Sequence, residues 1–244
     1  MKKLGLFMSL LAVIAVCGCI KATEVVTLNK DGSGSVTFTY GMKEENIQQL
    51  KAMSEMNQEG EGEMSMDADA FEFDEQKVRD QFKELEDEGI TLKDVSSKTE
   101  DGWQYMTVAF DFKNFDSLEN ADTPLEGFSL SKDAAGNYVF TSGGGGEAPE
   151  MTDEEKQQAQ MMAAMFAGMK IDIRINTPGK VIETNAPIKG ADYAQWVYDI
   201  DADPMALTRM ETEGMRLVFS GQGVDIPTFS AADVEVVEEE VVED

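Results

Sequence analysis

Hydrophobic and polar residues alternate with a period of two along several short segments of the chain, which is typical of strands with one buried face. The first two such segments are residues 23–29 (TEVVTLN) and 35–40 (SVTFTY), and the turn-forming residues 30–34 (KDGSG) lie between them. A glycine-rich turn between two alternating segments favours a tight connection. The pattern therefore predicts a β-hairpin near the N-terminus.

The same alternation predicts two more hairpins and four later strands. The hairpins comprise residues 90–99 with 103–112 and residues 128–131 with 137–141. The later strands comprise residues 169–177, 180–185, 196–199 and 215–220.

Apolar residues spaced three or four apart predict helices between these strands. Val78, Phe82 and Leu85 have this spacing, Asp74 is a plausible N-cap before them, and Gly89 fits the C-terminal end. Other helices are predicted at residues 43–56, 114–120 and 203–210, and from the capping box at 152–155 to about residue 168. Hairpins combined with packed helices predict an α+β fold with a mainly antiparallel sheet.

The N-terminus (MKKLGLFMSLLAVIAVCGC) has the layout of a secretory signal, because two lysines precede an apolar stretch that is short for a membrane span. Its end, Val16-Cys17-Gly18-Cys19, resembles the lipobox of bacterial lipoproteins. That resemblance implies that residues 1–18 are a signal peptide and that Cys19 receives the lipid. Cys17 fits less well, because the bulky Val16 precedes it. An ordinary secretory signal and an uncleaved anchor are the alternatives.

The predicted organisation is a single lipid-anchored domain over residues 19–230, with flexible insertions near 57–70 and 143–150. An acidic tail, residues 231–244, follows and is expected to be disordered. Ile20 rather than aspartate follows the lipobox cysteine, and the sorting pattern of Gram-negative lipoproteins then implies the outer membrane, facing the periplasm. Without an outer membrane, the same anchor implies the outer face of the plasma membrane.

Composition excludes several kinds of chemistry. The chain has no histidine and only two cysteines, both at the lipobox, so Ser-His-Asp, Cys-His and histidine-based zinc catalysis are excluded within it. Its 48 acidic and 20 basic residues give a net charge of −28, which repels nucleic acid and anionic lipid head groups at long range. This charge favours either solubility in a salty medium or docking to a basic envelope protein.

Metal and cofactor signals are weak, and we expect neither group. Asp199, Asp201 and Asp203 begin like an EF-hand loop, but Pro204 stands where that loop needs glycine. Closely spaced methionines such as Met53 and Met56 resemble copper(I) ligands, yet they fit an apolar helix face better.

Two pieces of the sequence resemble LppM-like envelope lipoproteins: the early hairpin turn at residues 31–34, and the segment 178–186 (PGKVIETNA) with the later Gly190 and Trp196. This sequence differs at Ala186, where glycine is common. The resemblance implies one α+β domain in the cell envelope, lipid or glycolipid binding, and no catalytic residues.

The predicted helix that begins at the capping box is apolar on most of its faces around residues 161–169, unlike a simple surface helix. It either packs fully against the sheet or lines an apolar ligand cavity. The lining residues would be Met161, Met162, Met165, Phe166 and Met169. We therefore expect a non-catalytic protein that binds an apolar or lipid ligand. The alternatives are an acidic scaffold for a basic protein and a carboxylate-dependent hydrolase of unknown substrate.

Overall fold

The structure is a computed structural model that describes residues 20–48, 73–120, 128–142, 161, 163–164 and 166–227. The predicted signal peptide, Cys19, both insertions, the capping box and the acidic tail lie outside the described residues. Within the described residues the predicted α+β class, with mainly antiparallel strands, is confirmed.

Strands and helices are numbered here in chain order. The strands are β1 Ile20–Leu28, β2 Gly34–Lys43, β3 Ile90–Glu100, β4 Trp103–Phe112, β5 Phe128–Lys132, β6 Tyr138–Ser142, β7 Lys170–Asn176, β8 Val181–Thr184, β9 Ile188–Lys189, β10 Tyr193–Asp199 and β11 Met215–Phe219. The helices are α1 Glu75–Leu85, continued by a 3₁₀ turn at Glu86–Glu88, α2 Phe115–Asn120 and α3 Ala206–Glu213. Residues 44–48 are also helical.

The strands form two sheets. The first has seven strands in the order β3-β4-β2-β1-β7-β10-β9, and the second has four in the order β5-β6-β11-β8. Strand β1 pairs antiparallel with β2 and parallel with β7. The other strand pairs of the described residues are antiparallel.

The first hairpin is fixed by its turn. Asp31 accepts hydrogen bonds from both the backbone N–H and the hydroxyl of Ser33, at 3.1 and 2.7 Å. Gly32 has a φ of 88°, a left-handed conformation that glycine adopts without strain. The predicted turn therefore forms for the predicted reason, and the strands on either side extend further than their alternation indicates.

Helix α1 packs against β3 and β4, at one edge of the first sheet. Val78, Phe82 and Leu85 are buried as their spacing predicts, and the ring of Phe82 lies 5.3 Å from that of Phe110 on β4. The helix ends where Gly89 takes a φ of 88° and donates its N–H to the carbonyl of Glu86.

One hydrophobic cluster contains buried residues from both sheets, including Ile175 of the first and Leu217 of the second. At one edge of this cluster, the hydroxyl of Tyr138 donates to the carbonyl of Ile226 at 3.0 Å and accepts its N–H at 2.7 Å. This exchange satisfies both polar groups of a buried backbone unit.

The segment after β7 leaves the first sheet. Beyond the turn at Pro178 and Gly179, β8 pairs with β11 in the second sheet. The helix expected at 203–210 begins at Ala206, because Asp203 accepts the N–H of Met205 and holds the preceding residues in a turn. Among the described residues, no helix is long and apolar enough to cross a bilayer.

We expect Asp74→Ala to lower the free energy of unfolding by about 1 kcal/mol, because the Asp74 carboxylate accepts the N–H groups of Gln76 and Lys77 at the start of α1. Urea unfolding followed by circular dichroism measures this change. Glu84→Ala, at an exposed position in the same helix, is the control and should change stability by less than about 0.5 kcal/mol. Equal losses in the two variants would contradict a capping role.

Candidate functional site

A carboxyl group lies inside the protein, on the buried face of β1. Side chains alternate across a strand, so Ile20, Glu24, Val26 and Leu28 share one face, and all four are buried. The Glu24 side chain is as inaccessible as its hydrophobic neighbours, with only 6% of the residue exposed. Charged residues are rarely buried to this extent without a partner.

The neighbours of Glu24 across the sheet are apolar. The strand register pairs Glu24 with Phe38 on β2 and with Ile173 on β7. One strand further out, Phe38 pairs with Val108 on β4, and Ile173 pairs with Trp196 on β10. The carboxyl therefore lies at the centre of a row of hydrophobic side chains.

The Oε1 atom of Glu24 has no hydrogen-bond partner in the part of the chain that the structure describes. Because burial disfavours the charged form, it raises the pKa of Glu24 from 4.5 to about 7. A buried polar group without a partner costs free energy, and native proteins usually satisfy such groups with protein atoms, water or a ligand. Glu24 is thus the polar group of the described interior whose partner is missing.

Trp196, at the end of the same row, connects the two sheets through Asn185. The indole Nε1 donates to the Asn185 Oδ1 at 3.0 Å, and the same oxygen accepts the N–H of Arg216 on β11 at 2.9 Å. The Asn185 amide nitrogen donates to the carbonyl of Gly214 at 3.1 Å. The motif that carries the family resemblance therefore has a structural role here, because it bonds the two sheets together at the end of the row that contains Glu24.

The residues predicted to line a ligand cavity are not all in one environment. Phe166 and Met169 are buried in the hydrophobic cluster, whereas Met161 is 64% exposed. Met162 and Met165 lie outside the described side chains. Met169 precedes β7 and is four residues from Ile173, the partner of Glu24, which corresponds to about 13 Å along a strand. The lining set stays a prediction.

The three aspartates that resemble the start of an EF-hand loop bond to groups of the protein itself. Asp201 accepts the N–H of Gly168 at 2.8 Å, Asp203 pairs with Arg209 at 2.6 Å, and Asp199 pairs with Lys170 at 3.3 Å. Among the described residues, no cluster of three or more acidic, histidine or cysteine side chains has a geometry that suits a metal ion. The predicted anchor Cys19 lies outside the described residues, and β1 begins at the next residue.

The sequence contains a signal for Glu24 that extends beyond the predicted strand at residues 23–29. Residues 20, 22, 24, 26 and 28 read Ile, Ala, Glu, Val and Leu, so one acid interrupts an otherwise apolar face. An acid at an inward position of an alternating strand indicates a buried polar group. A strand that is predicted to begin at residue 23 leaves out Ile20 and Ala22, so it shows only part of this apolar face.

No protein-family model matches the chain, and no curated protein matches it. Among solved structures, the chain is similar to the folded domain of LppM from Mycobacterium tuberculosis, determined by NMR. The TM-score is 0.40 and the sequence identity is 11%, and the match covers 84% of this chain and 94% of that domain. A likeness of this size assigns no function to the chain.

We expect Glu24→Gln to remove a pH-dependent destabilisation. Because the pKa of Glu24 is raised in the folded state, the protonated carboxyl contributes fully to stability below about pH 4.5. This contribution to the free energy of unfolding is lost as the pH rises through about 7. By linkage the stability of Glu24→Gln relative to wild type should therefore increase by about 3 kcal/mol between pH 4.5 and pH 8. Urea unfolding at a series of pH values measures the difference.

The control for this measurement is Glu45→Gln, which removes a carboxyl from an exposed position near β2. Subtracting the free energy of unfolding of each variant from that of wild type, at each pH, cancels the titration of the other acids. Parallel pH profiles for wild type and Glu24→Gln would show that the folded protein does not perturb the Glu24 carboxyl.

Proposed function

We propose that the protein is a lipid-anchored lipoprotein of the cell envelope, attached through Cys19, that binds an apolar or lipid ligand and catalyses no reaction. In a Gram-negative cell it would lie on the outer membrane, facing the periplasm. The lipobox resemblance supports the anchor, and the buried carboxyl of Glu24 supports the ligand.

The single observation that carries ligand binding is the unpartnered Oε1 of Glu24 within an apolar row. Binding sites for lipids and other apolar molecules are lined mainly by hydrophobic side chains, with a few polar groups that fix orientation. A ligand with an apolar body and a hydroxyl or amine group would match both parts. Its body would contact residues such as Phe38 and Ile173, and its polar group would donate to Glu24.

A non-catalytic role is supported by the surroundings of the same carboxyl. Acid–base catalysis by carboxyl groups usually needs a second titratable group or a positioned water at the reacting atom. The row across the sheet that contains Glu24 consists otherwise of Phe38 and Ile173, the direct partners of Glu24, and of Val108 and Trp196 one strand further out. None of these four side chains donates or accepts a proton near neutral pH.

Ligand binding can be tested with a secreted form whose lipobox is replaced by a plain secretory signal, because this form needs no detergent. We expect native mass spectrometry to show the chain with a bound lipid-sized molecule that organic solvent extracts. Glu24→Leu should weaken retention about tenfold or more, because the ligand's donor loses a buried acceptor. Titration with a lipid extract of the host measures the change.

Glu45→Leu is the matched control, since it replaces an exposed carboxyl by the same side chain. Thermal unfolding of each variant tests whether it remains folded. If the wild-type protein neither retains lipid on purification nor takes it up on titration, ligand binding is contradicted. Equal retention by wild type and Glu24→Leu would exclude the role of the carboxyl.

The anchor can be tested in cells grown with labelled palmitate. We expect Cys19→Ser to abolish labelling and to accumulate a precursor that keeps residues 1–18, because the lipid-accepting thiol is missing. Cys17→Ser is the control and should be labelled and processed like wild type. Labelled Cys19→Ser, or unlabelled Cys17→Ser, would contradict the assignment of Cys19.

A further inference from the structure

The outer face of the first sheet carries lysines and aromatic rings at the end where β1 begins. Lys21, Lys43, Trp103 and Tyr105 occupy the positions that alternate with the buried residues of β1, β2 and β4. The register brings them together, because Lys43 pairs with Trp103 and Gly41 pairs with both Lys21 and Tyr105. These four side chains are called the lysine–aromatic face below.

The side chains of this face contact one another. The Lys21 ammonium lies 4.1 Å from the centre of the Trp103 ring and the Lys43 ammonium 6.0 Å from it. The rings of Trp103 and Tyr105 are stacked, with centres 6.2 Å apart and planes 20° apart. A side chain at Gly41 would collide with the Tyr105 ring, so this glycine lets the ring lie flat on the sheet.

The charge of the face is opposite to that of the whole chain, which is −28. Lys98 and Lys170 lie nearby on the same side of the sheet, but each pairs with a carboxylate, Lys98 with Glu100 at 2.8 Å and Lys170 with Asp199 at 3.3 Å. Within the described part of the chain, Lys21 and Lys43 form no such ion pair, since their ammonium groups lie over the indole ring. Their positive charge is therefore available to an anionic surface.

The face is also next to the predicted anchor. Strand β1 begins at Ile20, directly after Cys19, so Lys21 is two residues from the acylated position. The β1–β2 turn, which contains Lys30, is at the other end of the strand, about 30 Å away. An anchor at Cys19 thus holds this end of the sheet near the bilayer.

We propose that the lysine–aromatic face lies on anionic phospholipid head groups of the membrane that holds the anchor, and this inference rests on the proposed attachment through Cys19. Tryptophan and tyrosine favour the membrane interface, where the ring contacts lipid and the polar edge contacts water. Lysine ammonium groups near an anionic leaflet are attracted to it, whereas the acidic remainder of the protein is repelled. The two effects together select one orientation of the domain.

Tryptophan fluorescence of the full, lipidated chain can test this orientation. The chain has two tryptophans, and Trp196 is 2% exposed, so changes in quenching report on Trp103. The protein is reconstituted into vesicles of phosphatidylcholine alone or with phosphatidylglycerol added. We expect acrylamide to quench Trp103 less on the anionic vesicles, and high salt to restore quenching. Trp103→Phe should abolish the difference.

The charge dependence is tested with Lys21→Gln combined with Lys43→Gln. We expect the ratio of docked to undocked domain on anionic vesicles to fall about 30-fold, which corresponds to about 1 kcal/mol for each lysine near the surface. Lys30→Gln combined with Lys113→Gln is the matched control, because it removes two exposed lysines at the opposite end of the sheet. The control should keep the protection of Trp103.

Flotation of the vesicles separates this inference from the anchor. A chain that floats with both vesicle types, but whose Trp103 is equally quenched on them, overturns docking and leaves the anchor intact. Equal loss of protection in the two double variants also overturns docking through this face. A chain that floats only with the anionic vesicles supports docking and contradicts the lipid anchor. A chain that floats with neither vesicle type contradicts both the docking and the anchor.

Discussion

The pairing of β1 determines much of this structure. This strand joins β2 on one side and β7 on the other, so it connects the N-terminal hairpin to the later strands of the first sheet. Its alternation directs Glu24 to the interior and Lys21 to the outer face. Because a shift of one residue would exchange the two faces, the candidate ligand site and the lysine–aromatic face depend on the same register.

The two sheets are joined by side-chain hydrogen bonds as well as by hydrophobic packing. Asn185 follows β8 in the second sheet and bonds the indole of Trp196 in the first. Neither sheet fixes this geometry alone, because Asn185 also bonds the backbone of Gly214 and Arg216 at the start of β11. A polar bridge of this kind sets the relative position of two apolar surfaces more specifically than hydrophobic packing does.

The sequence predicts local elements well and distant pairings poorly. Asp74 and Gly89 bound a helix because capping depends on neighbouring residues, and the turn at Asp31 forms for similar reasons. The parallel pairing of β1 with β7 and the position of β8 in the second sheet depend on contacts between distant segments, which local patterns do not contain. Glu24 lies between these two cases: its inward position is visible in the local alternation of β1, but the apolar residues opposite it, Phe38 and Ile173, come from pairings that local patterns do not contain.

The parallel pairing also governs the order in which the chain can fold. The amide of Asn176 on β7 donates to the hydroxyl of Thr27 on β1, across 149 positions of sequence. The first hairpin closes locally, but the edge of β1 that receives β7 stays unpaired until the chain has been made as far as β7. Distant pairings of this kind form slowly, and an open strand edge invites association with other chains. A partly synthesised chain therefore presents an unpaired strand edge, and early release of the N-terminal hairpin would favour aggregation over folding.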